Sequence, residues 1–194
     1  MSSEDSSGYR WQDEAAAFLR ILCPGLVVET GVSDGVSTIR FLAALDAAQH
    51  GKLISIDPSP SYTTPHPRWT LIQNTSHKAI DGIYRTEGPF DVFVHDSDHE
   101  AECQAFEYAV AWEFVKPGGY VISDDITWGT HRAWQEFTAA HDLIERRLGH
   151  AGLVQKPVSV PCPSPSRVER VLWDASTAAQ EFARRNGEAP RYWL

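Results

Sequence analysis

Basic residues are few in this sequence of 194 amino acids: 17 Lys and Arg stand against 26 Asp and Glu, for a formal net charge of −9 at pH 7. No nucleic acid is therefore expected as a partner, because proteins that grip a phosphate backbone gather their cations on one face. Cysteine is scarce as well. Cys23, Cys103 and Cys162 are odd in number and widely separated, which argues against a disulfide framework. No apolar run approaches the ~18 residues that a membrane span needs. Residues 1–8 are too polar for a signal peptide, so no membrane partner and a cytoplasmic location are expected. What is present is an apolar content of 42%, with aromatics at 11%, enough to fill a core. The length suits one domain over residues 1–194, with an N-terminal helix in 1–25 and the main core in 26–194.

Along the chain, helical and strand-like runs alternate. Trp11, Ala15, Phe18, Leu19 and Leu22 recur at helical spacing until Cys23-Pro24-Gly25 stops them. Leu26-Val27-Val28 reads as a buried strand that ends in Glu29 and a glycine-bearing turn. A helix from Val36, with Ile39, Leu42 and Leu45 inward, leads to the strand Leu53-Ile54-Ser55-Ile56, closed by Asp57. Further strands are read at Trp69-Thr70-Leu71-Ile72, at Val92-Phe93-Val94-His95 closed by Asp96, and at Tyr120-Val121-Ile122-Ser123 closed by Asp124-Asp125. Helices are expected over 76–84, from Ser97 to Lys116, and over 128–148; Ser97 and Glu100 have the spacing of a capping box. Two late strands, 153–160 and 167–174, flank a proline-rich link and should be antiparallel neighbours. The pattern is α/β: a doubly wound, Rossmann-like, seven-stranded sheet, mostly parallel with an antiparallel last strand.

In such sheets ligands sit beyond the carboxyl ends of the strands, and the acids Glu29, Asp57, Asp96, Asp124 and Asp125 all fall there. The first turn, Glu29-Thr30-Gly31-Val32-Ser33-Asp34-Gly35-Val36-Ser37, lacks the dinucleotide fingerprint, since Glu29 occupies the place of its first glycine. A carboxylate beside a pocket repels a pyrophosphate and attracts an ammonium or sulfonium. Asp57 is placed to accept both hydroxyls of a ribose; otherwise it only caps the proline-rich loop that follows. Neighbouring strands lie about 4.8 Å apart, so Asp96 and the Asp124–Asp125 pair converge. Like charges that close need a cation among them, and oxygen ligands suit a hard ion such as magnesium. The alternative is that Asp98 and Ser97 cap a helix and Asp124 holds a loop.

These residues resemble those of class I S-adenosylmethionine-dependent methyltransferases over about residues 26–128. More narrowly, the chain is similar to small metal-dependent O-methyltransferases of the catechol, caffeoyl-CoA and cephamycin-pathway types. Segments 28–37, 53–57, 70–80, 90–99 and 116–125 carry the likeness. The resemblance implies S-adenosylmethionine as cofactor, with Glu29, Gly31, Gly35 and Ser37 around its methionine half. Asp57 would take the ribose, Ser76 and His77 would lie at the adenine edge, and Asp96 would border the cofactor. It further implies that Asp96, Asp124 and Asp125 hold a divalent metal, magnesium by type. Asp125 stands where the catechol-type enzymes have Asn.

His99 falls where family members keep a lysine or histidine base, and a neutral imidazole could take a proton from an acceptor hydroxyl. Pairing with Asp98 or Glu102 is the other reading. His95 alternates away from Asp96 and reads as a hydrogen-bonded core histidine; Trp112, Trp134 and Trp173 read as core. Trp128 could wall an acceptor pocket, and His131 could reach its mouth. The expected function is a magnesium-dependent O-methyltransferase acting on a small-molecule hydroxyl, of a secondary metabolite or a sugar. The alternatives are a metal-independent N- or C-methyltransferase, a cofactor-binding protein without transfer activity, and an NAD-linked oxidoreductase, which Glu29 disfavours. A homodimer is the default expectation for oligomeric state.

Overall fold

Strand β1 (Leu26–Thr30) is buried at every residue, which places it in the middle of a sheet rather than at an edge. The computed structural model of the chain describes residues 10–127 and 131–160. Beside β1 lie β2 (Lys52–Ile56) and β3 (Trp69–Ile72) on one side, and β4 (Phe90–His95) and β5 (Val115–Ser123) on the other. Two short strands, β6 (Arg146–Leu148) and β7 (Ala151–Gln155), complete the order β3-β2-β1-β4-β5-β7-β6. The first five strands are mutually parallel, and β7 runs antiparallel to both of its neighbours. This is the expected seven-stranded, doubly wound arrangement with an antiparallel last strand.

Alternate strand residues feed two cores. Val27, Leu53, Val92, Val94 and Ile122 face α1 (Trp11–Leu22) and α2 (Val36–Ala48), where Trp11, Leu19, Phe41 and Leu45 are buried. Val28, Ile54, Phe93 and Val121 face the opposite core, with residues from α3 (Ser76–Glu87), α4 (Ala101–Phe114) and α5 (His131–Ala140). Lys156 is 1% exposed, and its ammonium donates to the carbonyls of Trp112 and Val115, satisfying the carboxyl end of α4. No helix among the described residues is long and apolar enough to cross a membrane.

Four local expectations are corrected. Ile39 is 46% exposed, because α2 turns Ser37 and Thr38 inward to hydrogen-bond buried Glu29, and this rotates the helix away from Ile39. Ser97 and Glu100 form no capping box: Glu100 is the N-cap of α4, and the Ser97 hydroxyl donates to Glu107. The helix expected to reach residue 148 ends at Ala140. There the chain turns back, tied by Trp134 Nε1 donating to Glu145 Oε2 at 2.6 Å, and residues 146–148 become β6. Of the two late strands, the first corresponds to β7, displaced toward the N-terminus, whereas 167–174 lies outside the described residues, as do Trp128 and Trp173.

Candidate active site

Strand register assembles the site. Thr30 is level with Ile56 and His95, and His95 is level with Ser123, so Gly31, Asp57, Asp96 and Asp124 leave the sheet side by side. The chain order reverses between β1 and β4, which is the position where open α/β sheets bind ligands. Gly31 adopts φ +82°, and a Cβ there would lie 1.9 Å from the Asp96 carbonyl oxygen. Glycine is required at that position because two strand ends pass in contact, and not because a ligand approaches. Gly35 is the N-cap of α2 and packs beneath Tyr62, lining neither of the cavities described below.

Glu29, expected beside the cofactor, is 0% exposed. Its oxygens accept from Ser37, Thr38 and Ser55 at 2.6, 2.7 and 2.6 Å. Burial pushes its pKa up to about 7, against the pull of those hydroxyls. Its carboxyl therefore positions Ser37 and does not itself face a cavity. Asp57 braces the same turn: Oδ2 accepts from the Val32 and Ser33 amides at 2.8 and 2.9 Å, and Oδ1 from that of Ser59 at 2.7 Å.

A cleft of about 300 Å³ opens over these strand ends, with Thr30, Gly31, Asp57, Ser76, Asp96 and Glu107 among its walls. A second space of about 260 Å³ shares Gly31, Ser33 and Asp96 with it and is bounded by Ser37 and Arg10. Gly31, Ser37, Asp57, Ser76 and Asp96 thus each line at least one of these two adjoining spaces. His77 lies against Phe106 instead, with ring centroids 5.7 Å apart, and burial lowers its pKa.

Glu107 is a wall residue that the sequence reading missed. It is 1% exposed on α4 and accepts from Thr30 Oγ1 at 2.5 Å, His95 Nδ1 at 2.7 Å and Ser97 Oγ at 3.0 Å. Burial raises its pKa, but the charge of His95 and the hydrogen bonds from His95, Ser76 and Thr30 together bring it below the usual glutamate value. His95 is accordingly the hydrogen-bonded core histidine expected. Cys103 borders the same cleft, and burial, then the charge of Glu107, pushes its thiol far above the usual range, which disfavours the thiolate form.

Beyond Asp96 the acids meet two imidazoles. The carboxyls of Asp96 and Asp124 share a hydrogen bond; burial, then the adjoining charge of Asp124, raises the Asp96 pKa. His99 Nδ1 is 3.0 Å from Asp125 Oδ2, so His99 pairs with neither Asp98 nor Glu102. His150 Nε2, from the β6–β7 turn, is 3.1 Å from Asp124 Oδ1 and 3.8 Å from Asp125 Oδ1. Possible ligand atoms of Asp96, His99 and Asp124 lie within 4.8 Å of one another, and so do those of Asp124, Asp125 and His150. The expected triad of Asp96, Asp124 and Asp125 is therefore redistributed. Asp124 belongs to both groups, while Asp125, held at φ +49° with its amide donating to Asp124 Oδ1, turns toward the histidines. Burial and Asp124 raise the Asp125 pKa, with His99 and His150 opposing. Two acids in contact cannot both stay charged without a cation, and this donor set fits a divalent metal. Nothing in the sequence spacing joins His150 to Asp124. The side chain of His131 lies outside the described residues.

A family model described as a methyltransferase domain matches residues 28–126. No curated protein matches the chain. Among solved structures it is similar to MycE, a methyltransferase of the mycinamycin biosynthetic pathway, in complex with Mg, S-adenosylhomocysteine (SAH) and mycinamycin VI. That match has a TM-score of 0.59 at 16% identity and covers 78% of this chain and 51% of that one. It is also similar to an O-methyltransferase from Bacillus cereus in complex with SAH, with a TM-score of 0.57 at 14% identity over 79% of this chain and 82% of that one. A third similar structure is CalS11, a TDP-rhamnose 3'-O-methyltransferase of calicheamicin biosynthesis, with a TM-score of 0.60 at 12% identity over 74% and 77%. The chain spans about half the length of MycE, and these likenesses show a shared fold.

Proposed function

The chain belongs to the methyltransferase domain family, and from that premise we propose that it moves a methyl group from S-adenosylmethionine to a small-molecule hydroxyl. The observation that carries the reading is the Asp96–Asp124 carboxyl contact at the ends of adjacent strands, flanked by His99, with Asp96 lining the cleft. In this reading the nucleoside lies over Asp57 and Ser76, and the methionine half lies in the space bounded by Gly31, Ser37 and Arg10. Mg and SAH in the MycE complex, and the sugar named for CalS11, support a cation at the acid rim and a sugar or secondary-metabolite acceptor.

Asp96 and Asp124 would hold a divalent cation, which when bound supplies Lewis acidity and a template for the acceptor. Asp125 fixes the His99 ring through Nδ1, leaving Nε2 to receive the acceptor's proton. The acceptor oxygen forms a bond to the methyl carbon as the carbon–sulfur bond breaks, and the electron pair leaves with sulfur. The protein's main contribution is holding oxygen and methyl in line, worth on the order of 7–11 kcal/mol at best. The test is transfer of a labelled methyl group to a panel of sugar nucleotides and other hydroxyl acceptors. Transfer that EDTA abolishes and a divalent cation restores supports the reading; failure to bind SAH overturns it.

A second reading rests on the same His99–Asp125 pair, which could serve as a base without a metal. Transfer unchanged by thorough chelation selects this metal-independent version, on oxygen, nitrogen or carbon.

A further inference from the structure

The imidazole nearest Asp124 comes from the far end of the sheet. Residues Gly149 and His150 form the two-residue turn between β6 and β7, outside the segment 28–126 that the family model matches. Gly149 takes φ +60°, the conformation a tight hairpin asks of its first turn residue, and this swings the turn back toward the acids. β7 is held against β5, with Gly152 opposite Ser123, so His150 arrives next to the residue that follows Ser123. Its side chain is 49% exposed and makes two contacts with acids.

We propose that His150 is a ligand of the cation at the acid rim, and that the site consequently prefers a borderline transition-metal dication over magnesium. The proposal rests on the metal reading given above and adds a ligand and a selectivity to it. Its basis is donor chemistry. Carboxylate and water suit Mg²⁺, whereas an imidazole nitrogen shifts affinity toward Co²⁺, Ni²⁺ and Zn²⁺. Asp124 accepts from its own neighbour's amide through the oxygen that faces His150, so oxygen and nitrogen donors are fixed together. His99 Nδ1 is held by Asp125, whereas His150 Nε2 lies with ligand oxygens of Asp124 and Asp125 in one group within 4.8 Å, so an ion bound to Asp124 can take its nitrogen from His150. Close by, His95 Nε2 is buried without a hydrogen-bond partner, its ring 6.1 Å from that of His99.

The test is titration of chelator-treated full-length protein with Co²⁺ and with Mg²⁺ by calorimetry, together with the visible absorption of bound Co²⁺. Wild-type protein should bind Co²⁺ at least about tenfold more tightly than Mg²⁺, and His150→Ala should weaken Co²⁺ about 10- to 100-fold while changing Mg²⁺ much less. The Co²⁺ band should shift in the variant. If His150→Ala does not fold, His150→Gln, which keeps a polar contact to Asp124, takes its place. Pulsed electron paramagnetic resonance of Mn²⁺ should then show one imidazole nitrogen fewer than in the wild type. Equal Co²⁺-to-Mg²⁺ ratios in wild type and variant, with both ions bound, overturn the role of His150 and leave the metal reading standing. If neither ion binds wild-type protein, both fall.

Discussion

His95 Nδ1 and Glu107 Oε2 stand 2.7 Å apart, with side-chain exposures of 0% and 1%. One residue ends β4 and the other lies on α4 with its carboxyl in the wall of the cleft, so the pair ties that wall to the sheet. Removing one partner of a buried pair strands the other. Glu107→Ala should therefore cost about 3–5 kcal/mol in urea unfolding. It also removes the carboxylate acceptor of the Ser97 hydroxyl and leaves the Thr30 hydroxyl only the Val94 carbonyl, at 3.5 Å. Glu107→Gln, which keeps the acceptor oxygen, should cost clearly less. A loss below about 1 kcal/mol for the alanine variant would mean that water replaces the carboxylate.

Gly31→Ala tests the close passage of β1 and β4. The new Cβ would meet the Asp96 carbonyl, and the φ of +82° is strained for any residue with a side chain. Strand ends cannot yield as a side chain can, so the expected loss exceeds about 4 kcal/mol. That corresponds to a fall of roughly 10 °C or more in Tm for a chain of this size. An unchanged Tm would show that the two strand ends are not in contact.

Stability should respond to pH through Glu29. Its native pKa is raised from 4.5 to about 7, so the folded state holds the proton more tightly than the unfolded one. The stability this confers is complete below pH 4.5 and is lost as pH rises toward 7, by at most roughly 3 kcal/mol. Glu29→Gln imitates the protonated form and should remove that slope. Unfolding free energies at pH 5 and pH 8 should show the variant gaining on the wild type as pH rises. A constant difference would contradict the account. Glu107 has the opposite sign: its pKa is lowered, so its contribution is present above 4.5 and fades as pH falls.

Much of this architecture is legible in the sequence because hydrophobic runs closed by acids mark parallel strands and their carboxyl ends. Trp69–Ile72 and Trp11–Leu22 have the bounds that spacing alone suggests. What spacing does not encode is the inward use of polar groups. Ser37 and Thr38 face the core because Glu29 needs donors there, and that displaces Ile39. Glu107 reads as one more charged helix residue until the Thr30, His95 and Ser97 donors surround it. His150 was hidden for a topological reason: the run after Trp134 looks helical, and only the Trp134–Glu145 tie reveals a hairpin that returns to Asp124. Asp96 and Asp124 could be placed from the sequence because they follow strand ends directly, while the turning of Asp125 toward the histidines depends on a positive φ that its sequence does not announce.

In the proposed reading Asp96 and Asp124 hold the cation together, and of the two only Asp96 also lines the cavities. Calorimetric titration of Asp124→Asn with SAH and with a divalent cation tests this most directly. The account predicts cation affinity reduced about 10- to 100-fold, with SAH affinity within a factor of about three of wild type, since Asp124 lines neither cofactor space. Cation affinity equal to that of the wild type would contradict it.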